Sequence, residues 1–147
     1  MATHIDSMRR RIRRPPTLSE KIEVRLARKR GDVFLRSDFE DLGSYDRIGV
    51  VLRKLVRSGK LMKIGQGIYT RAEPSILDGK PVPVKGISLL MSEALKRLGV
   101  RTSPTKIERA YNEGRTNQVP SGQLIGVDRR VRRKLGYNGA TMRFERV

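Results

Sequence analysis

The chain has 147 residues, with 33 Lys and Arg against 15 Asp and Glu, a net charge of +18 and a pI near 11.3. It has no cysteine and one histidine, His4, which leaves no material for a disulfide scaffold, a thiolate zinc site, a Cys nucleophile or Ser-His-Asp machinery. No apolar run reaches the roughly 18 residues of a membrane span and the start lacks the apolar stretch of a signal peptide, so the chain reads as soluble and intracellular.

A charge this large on a small chain repels itself, and a polyanion relieves that repulsion. Each Lys or Arg that neutralises a phosphate also releases condensed counterion, which makes nucleic acid the expected partner. The charge is unevenly spread. Residues 1–31 hold ten bases and three acids, residues 32–72 eight and five, and residues 73–147 fifteen and seven. The first cluster, with Arg10, Arg11, Arg13 and Arg14, precedes Pro15-Pro16 and has neither helical nor strand period. Residues 1–16 therefore read as a disordered basic arm, either laid along a minor groove or phosphates, or a solvated tail.

Thr17-Leu18-Ser19-Glu20 fits a capping box, and Leu18, Ile22 and Leu26 follow on one helical face with Gly31 as the expected stop. Val33-Phe34-Leu35 is suited to a short strand. Ser37-Asp38-Phe39-Glu40 predicts a second capping box opening a two-turn helix through Leu42, broken by Gly43. From Ser44 to Ser58, Ile48, Val51, Leu52, Leu55 and Val56 form one apolar stripe at the 3.6 period, and Asp46, Arg47, Val50, Arg53, Lys54 and Arg57 fall opposite it. A short helix, a glycine break and a longer helix with a basic outer face make a helix-turn-helix. Lys60–Ile64 and Ile68–Arg71, joined by Gly65-Gln66-Gly67, then predict a β-hairpin, the wing of a winged helix-turn-helix over residues 17–72.

The run from Asp41 to Tyr69 resembles the winged-helix domain of the AbiEi-type antitoxins of type IV toxin–antitoxin and abortive-infection systems. The shared signature is a recognition helix ending Leu-x-x-Leu-Val-x-x-Gly-x-Leu, followed by a wing ending Gly-x-Gly-Ile-Tyr. The resemblance implies a bacterial, cytoplasmic, double-stranded-DNA-binding transcriptional regulator that represses its own operon. It also implies a nucleotidyltransferase-type toxin as partner. A homodimer is a further expected arrangement, and nucleoid association follows from DNA binding.

In a helix-turn-helix the start of the second helix reaches base edges. Arg47 suits a bidentate bond to guanine and Val50 a thymine methyl, with Arg53 one turn on. Ser44 and Tyr45 suit phosphate, although Tyr45 lies close enough to the apolar side to belong to the core instead. Lys54, Arg57, Lys60 and Lys63 are expected backbone contacts, with an ordinary solvated face the alternative for Lys54 and Arg57, and Gln66 marks the wing tip. Gly49 weakens the helix interior, and either close approach of the preceding helix or no particular constraint accounts for it. The carboxylates Asp38, Glu40, Asp41 and Asp46 do not make a nuclease site, since Glu40 has a capping role and no base accompanies them. No enzyme activity, cofactor or metal is expected.

Residues 73–85, with Pro74, Pro81 and Pro83, read as a linker. Beyond it, Ile87, Leu90, Met91, Ala94, Leu95 and Leu98 predict a helix closed by Gly99. Ser103-Pro104 predicts the start of a second, with Ile107, Ala110 and Tyr111 inward. Strands are expected at Thr116–Val119 and Gln123–Val127, at a hairpin around Tyr137-Asn138-Gly139, and through Arg146. Arg129–Lys134, with Arg130 and Arg132, is ambiguous between strand and helix and better suited to strand. The fold class is thus α+β: a winged helix-turn-helix followed by a small basic domain, residues 86–147, of two helices and three or four antiparallel strands. That basic strand suits phosphates, a dimer contact or an acidic partner protein. An RNA-binding or ribosome-associated role is the alternative function, disfavoured because the few aromatics sit at core-like positions rather than where bases stack.

Overall fold

A computed structural model describes residues 14–147. The sequence dictates α1 (Leu18–Arg28) much as expected: the Thr17 hydroxyl accepts from the Glu20 amide at 3.2 Å, and Ile22 and Leu26 are buried. The reciprocal half of the capping box is absent, because the Glu20 carboxylate pairs with Arg14 at 2.6 Å, which holds its carboxyl below the usual range. The helix ends before Gly31, which serves close approach instead: a Cβ there would lie 2.8 Å from Glu93 Oε1.

Strand β1 (Val33–Leu35) leads into a 3-10 turn, Arg36–Phe39, where a two-turn helix through Leu42 was expected. The physical reason is the choice of cap. The Asp38 carboxylate accepts from the Leu35 amide at 3.0 Å, so the capped turn starts ahead of Ser37, and Glu40 plays no capping part in it. Helix α2 (Tyr45–Arg57) follows, its first turn capped by Ser44 Oγ on the Arg47 amide. Ile48, Val51, Leu52 and Leu55 are buried and Val56 packs beside them, so the stripe read from the sequence is the face turned inward. Gly59, at φ +80°, turns the chain into β2 (Leu61–Gly65), which pairs antiparallel with β3 (Ile68–Pro74). This hairpin is the wing.

The segment expected to be a linker, residues 73–85, carries strand at 73–74 and at Pro81–Pro83 with a turn between them. Strand β3 runs to Pro74, turns through a bond from the Ser75 amide to the Lys80 carbonyl (2.8 Å), and returns as β4 (Pro81–Pro83). Pro81 and Pro83 sit in β4, which has β3 on one side only, and Pro74 is the last residue of β3; both places tolerate a missing N–H.

Helix α3 (Ile87–Arg97) buries Leu90, Met91, Ala94 and Leu95, and Gly99 follows it at φ +77°. Helix α4 (Lys106–Asn112) differs from expectation in both cap and face. Ser103 lies in β5 (Thr102–Ser103), and Thr105 and Glu108 form the capping box. No α4 residue is buried, and Ile107 and Tyr111 stay 39% and 44% exposed, since this seven-residue helix lies against the surface rather than under a layer. Thr116–Val119 forms no strand. Strand β6 (Leu124–Val127) pairs antiparallel with β5 but parallel with β9 (Arg143–Arg146), so the carboxy-terminal strands are not all antiparallel. The hairpin β7 (Gly136–Tyr137) and β8 (Ala140–Thr141) turns at Asn138 and Gly139, both at positive φ, as a type I′ turn requires. Arg129–Lys134 is neither strand nor helix.

The architecture is α+β. Its central sheet separates two apolar clusters through the period-2 alternation of its strands. Phe34, Leu61 and Tyr69 join Ile22, Phe39, Ile48 and Leu52 on the winged-helix side. Val33, Ile64 and Ile68 join Leu90, Leu95, Val127, Leu135 and Met142 on the other. Polar bonds reinforce this junction. Glu93 on α3 accepts from the Asp32 and Val33 amides at 2.7 and 3.3 Å, and Arg97 pairs with Asp38. Lys85 bridges Asp32 (2.7 Å) and Glu93 (3.3 Å), and those carboxylates, Asp32 first, raise its ammonium above the ordinary range.

Candidate nucleic-acid interface

With its stripe buried, α2 must present the opposite face to solvent. Ser44, Arg47, Arg53, Lys54 and Arg57 are all exposed, and Val50 is 41% exposed on the same ridge. None of these cations forms an ion pair among the described residues, whereas Arg25, Arg71, Lys85 and Arg97 elsewhere are all paired. The ridge therefore sets four unpaired cations, Arg47, Arg53, Lys54 and Arg57, against the single exposed carboxylate of Asp46, a net positive surface that favours a polyanion.

Tyr45 lies outside the core, 66% exposed at the first turn of α2. The Arg36 guanidinium stacks 3.4 Å from its ring centroid and donates to its backbone carbonyl. Arg36 is absent from the candidates read in the sequence. The available signal was Gly49, whose missing Cβ leaves the space that the Arg36 guanidinium fills; the close approach expected of the preceding helix is made by the side chain of Arg36, the first residue of the 3-10 turn before α2.

The wing flanks the ridge. Lys63 is exposed and donates to Gln66 Oε1 at 3.3 Å at the exposed tip. Lys60 is differently placed: its ammonium pairs with Glu23 of α1 at 2.7 Å. Arg14 likewise faces Glu20, and Arg10, Arg11 and Arg13 lie outside the described residues.

The carboxy-terminal basic run comes back to this same hairpin. Arg129 is engaged at the end of α3, donating to the Leu98 and Gly99 carbonyls at 3.3 and 2.7 Å. The next residues cross to the wing: Arg133 donates to the Gln66 carbonyl at 3.4 Å, and a Cβ on Gly65 would lie 2.8 Å from Leu135 and 3.2 Å from the Lys134 carbonyl. Arg130, Arg132, Arg133 and Lys134 are all exposed. Arg130 and Arg132 thus belong to a cationic loop docked on the wing, which nothing in their local sequence disclosed.

Residues 21–72 match the family model described as transcriptional regulator, AbiEi antitoxin. The matched segment runs from within α1 to within β3 and encloses Ser44 through Gln66, every candidate on the ridge and wing. It stops well short of Arg130 and Arg132, whose place beside the wing rests on geometry alone. No curated protein and no solved structure matches the chain. Among the described residues no group of three or more His, Cys, Asp or Glu could hold a metal ion, and no helix is long and apolar enough to cross a membrane.

Proposed function

We propose that the protein is a sequence-specific double-stranded-DNA-binding transcriptional regulator that represses its own promoter in a bacterial type IV toxin–antitoxin or phage-defence operon. The observation that carries this reading is the unpaired cationic ridge of α2, exposed beside a wing within the AbiEi-type segment. The start of α2 enters the major groove. There Arg47 takes guanine O6 and N7, Val50 meets a thymine methyl, and Arg53 lies one turn deeper. Ser44 and Tyr45 hold phosphate at the helix amino terminus, where the dipole favours negative charge. Lys54, Arg57 and Lys63 neutralise the backbone, Lys60 does so after leaving Glu23, and Arg130 and Arg132 extend the footprint beyond the wing. The Arg10–Arg14 arm lies along the same duplex. The antitoxin role adds a cognate nucleotidyltransferase-type toxin as protein partner, and binding as a homodimer suits a palindromic operator. The site of action is the bacterial cytoplasm, with the protein on the nucleoid when bound.

The test compares a duplex of the protein's own promoter, a random duplex and a structured RNA at one salt concentration. Promoter DNA is expected to bind at least about a thousandfold more tightly than random duplex. Equal binding to all three would replace regulation with general nucleic-acid packaging. At the level of residues, Arg47→Ala is expected to relax sequence preference by about 1–3 kcal/mol at one base pair. Lys63→Ala is expected to weaken all duplexes alike and to lower the salt slope by about one. Salt titrations of both variants on promoter and random duplex check this, and identical behaviour would refute the division of roles.

A further inference from the structure

Two locally unfavourable choices coincide beneath the first turns of α2. One is a glycine, Gly49, in a helix interior, where it weakens the helix relative to alanine. The other is the Arg36 Nε, buried with no hydrogen-bond partner. Both have the same cause. The Arg36 side chain lies across the space above Gly49, stacks on the Tyr45 ring at 3.4 Å and donates to the Tyr45 carbonyl. Its own amide donates to the Gly67 carbonyl of the wing loop at 2.9 Å. One residue therefore touches the start of the recognition helix with its side chain and the wing with its backbone. Breaches of local preference that share one spot mark a constraint other than stability.

We infer that Arg36 is a positioning residue for sequence reading: it holds the Tyr45 ring and the first turn of α2 in fixed register with the wing. The inference rests on the DNA-binding reading above and adds a residue to it. The stack on the Tyr45 ring and the bond to the Tyr45 carbonyl hold the first turn of α2, which carries the base-reading Arg47, in one orientation, and a preorganised reader loses less freedom when its cognate base pair arrives. Lysine keeps the charge but has neither the plane nor the fork. Alanine at 49 keeps every charge but occupies the guanidinium's place. The flexible end of Arg36 can swing away at little cost, so Gly49→Ala restores helix propensity while unseating the arginine.

The experiment measures promoter and random-duplex affinity of the full chain for wild type, Arg36→Lys and Gly49→Ala, alongside melting temperature. Both variants are expected to lose at least about tenfold of the promoter-to-random ratio, with random-duplex affinity nearly constant because the net charge is unchanged. Gly49→Ala is expected to melt at or above wild type, an outcome a purely structural role for this glycine would not give. In the free protein, the Arg36 Nε–H resonance is expected upfield of its ordinary position from the Tyr45 ring current and to move back in Tyr45→Leu. Unchanged ratios in both variants, or an Arg36 resonance indifferent to Tyr45, would overturn the inference while leaving DNA recognition intact. A wild type without promoter preference would overturn the DNA reading and this inference together.

Discussion

Leu95→Ala is expected to cost about 2–5 kcal/mol of stability, the range for emptying a fully buried leucine position, and to loosen both halves of the chain equally. Leu95 is fully buried on α3, in the cluster that also holds Val33, Ile64 and Ile68 from the winged-helix sheet and Ile125, Val127, Leu135 and Met142 from the carboxy-terminal strands. A cavity there strips packing from two sets of strands at once, and close-packed interiors relax into such a void only partly. Amide hydrogen exchange distinguishes shared from separate cores. Protection at Ile68 and Tyr69 of β3 and at Ile125 and Val127 of β6 is expected to fall by the same free energy, as it does for amides exposed in one cooperative unfolding event. Retained protection in β3 with loss only in β6 would mean two independent domains joined by the β3–β4 hairpin.

That shared core bears on how much of the molecule was legible in its sequence. The α2 stripe, the Ser44 cap, the wing and the Asn138-Gly139 turn were readable because each depends on residues a few positions apart, where helical or strand period and turn chemistry act directly. The errors arose where a distant partner decided. Asp38 caps the Leu35 amide and is held by Arg97, fifty-nine residues away, so the expected second helix became a 3-10 turn. Pro74, Pro81 and Pro83 signal a break in isolation, yet Pro74 suits the end of β3 and the other two suit a β4 that has a neighbour on one side only. Ile107 and Tyr111 have the spacing of an inward face, but α4 has no layer over it.

The same distinction applies to the candidate interface. Ridge residues followed from the periodicity of α2, because burying one face of a helix exposes the other. The neighbours that complete the surface did not. Lys60 faces away to Glu23 through the packing of α1, and Arg36 reaches Tyr45 only because Gly49 leaves room. Gly49 and Gly65 were the legible traces of those approaches: each marks a place where another part of the chain arrives too closely for a side chain. A glycine inside a helix or at the end of a strand specifies that something approaches and leaves its identity to the fold.

Joint replacement of Arg130, Arg132, Arg133 and Lys134 by glutamine is expected to make the salt dependence of duplex binding shallower by about 3 to 4 units of log K against log salt, near 0.9 for each phosphate no longer neutralised. Over a rise from 50 to 200 mM salt, that difference amounts to about a hundredfold less loss of affinity. The reasoning starts from placement. This loop is anchored at one end by Arg129 on the Leu98 and Gly99 carbonyls and at the other by buried Leu135, and Arg133 bonds the wing tip between them. Its cations are thus carried to the edge of the wing, and Arg129 is left unaltered because it belongs to the anchor. Bonds to phosphate carry no sequence information, so promoter and random duplex are expected to lose affinity in parallel and the promoter-to-random ratio to survive. A salt slope equal to wild type would show that the loop serves a dimer contact or an acidic protein partner, the other roles its charge suits. Loss confined to promoter DNA would instead make it a reader of sequence or groove shape.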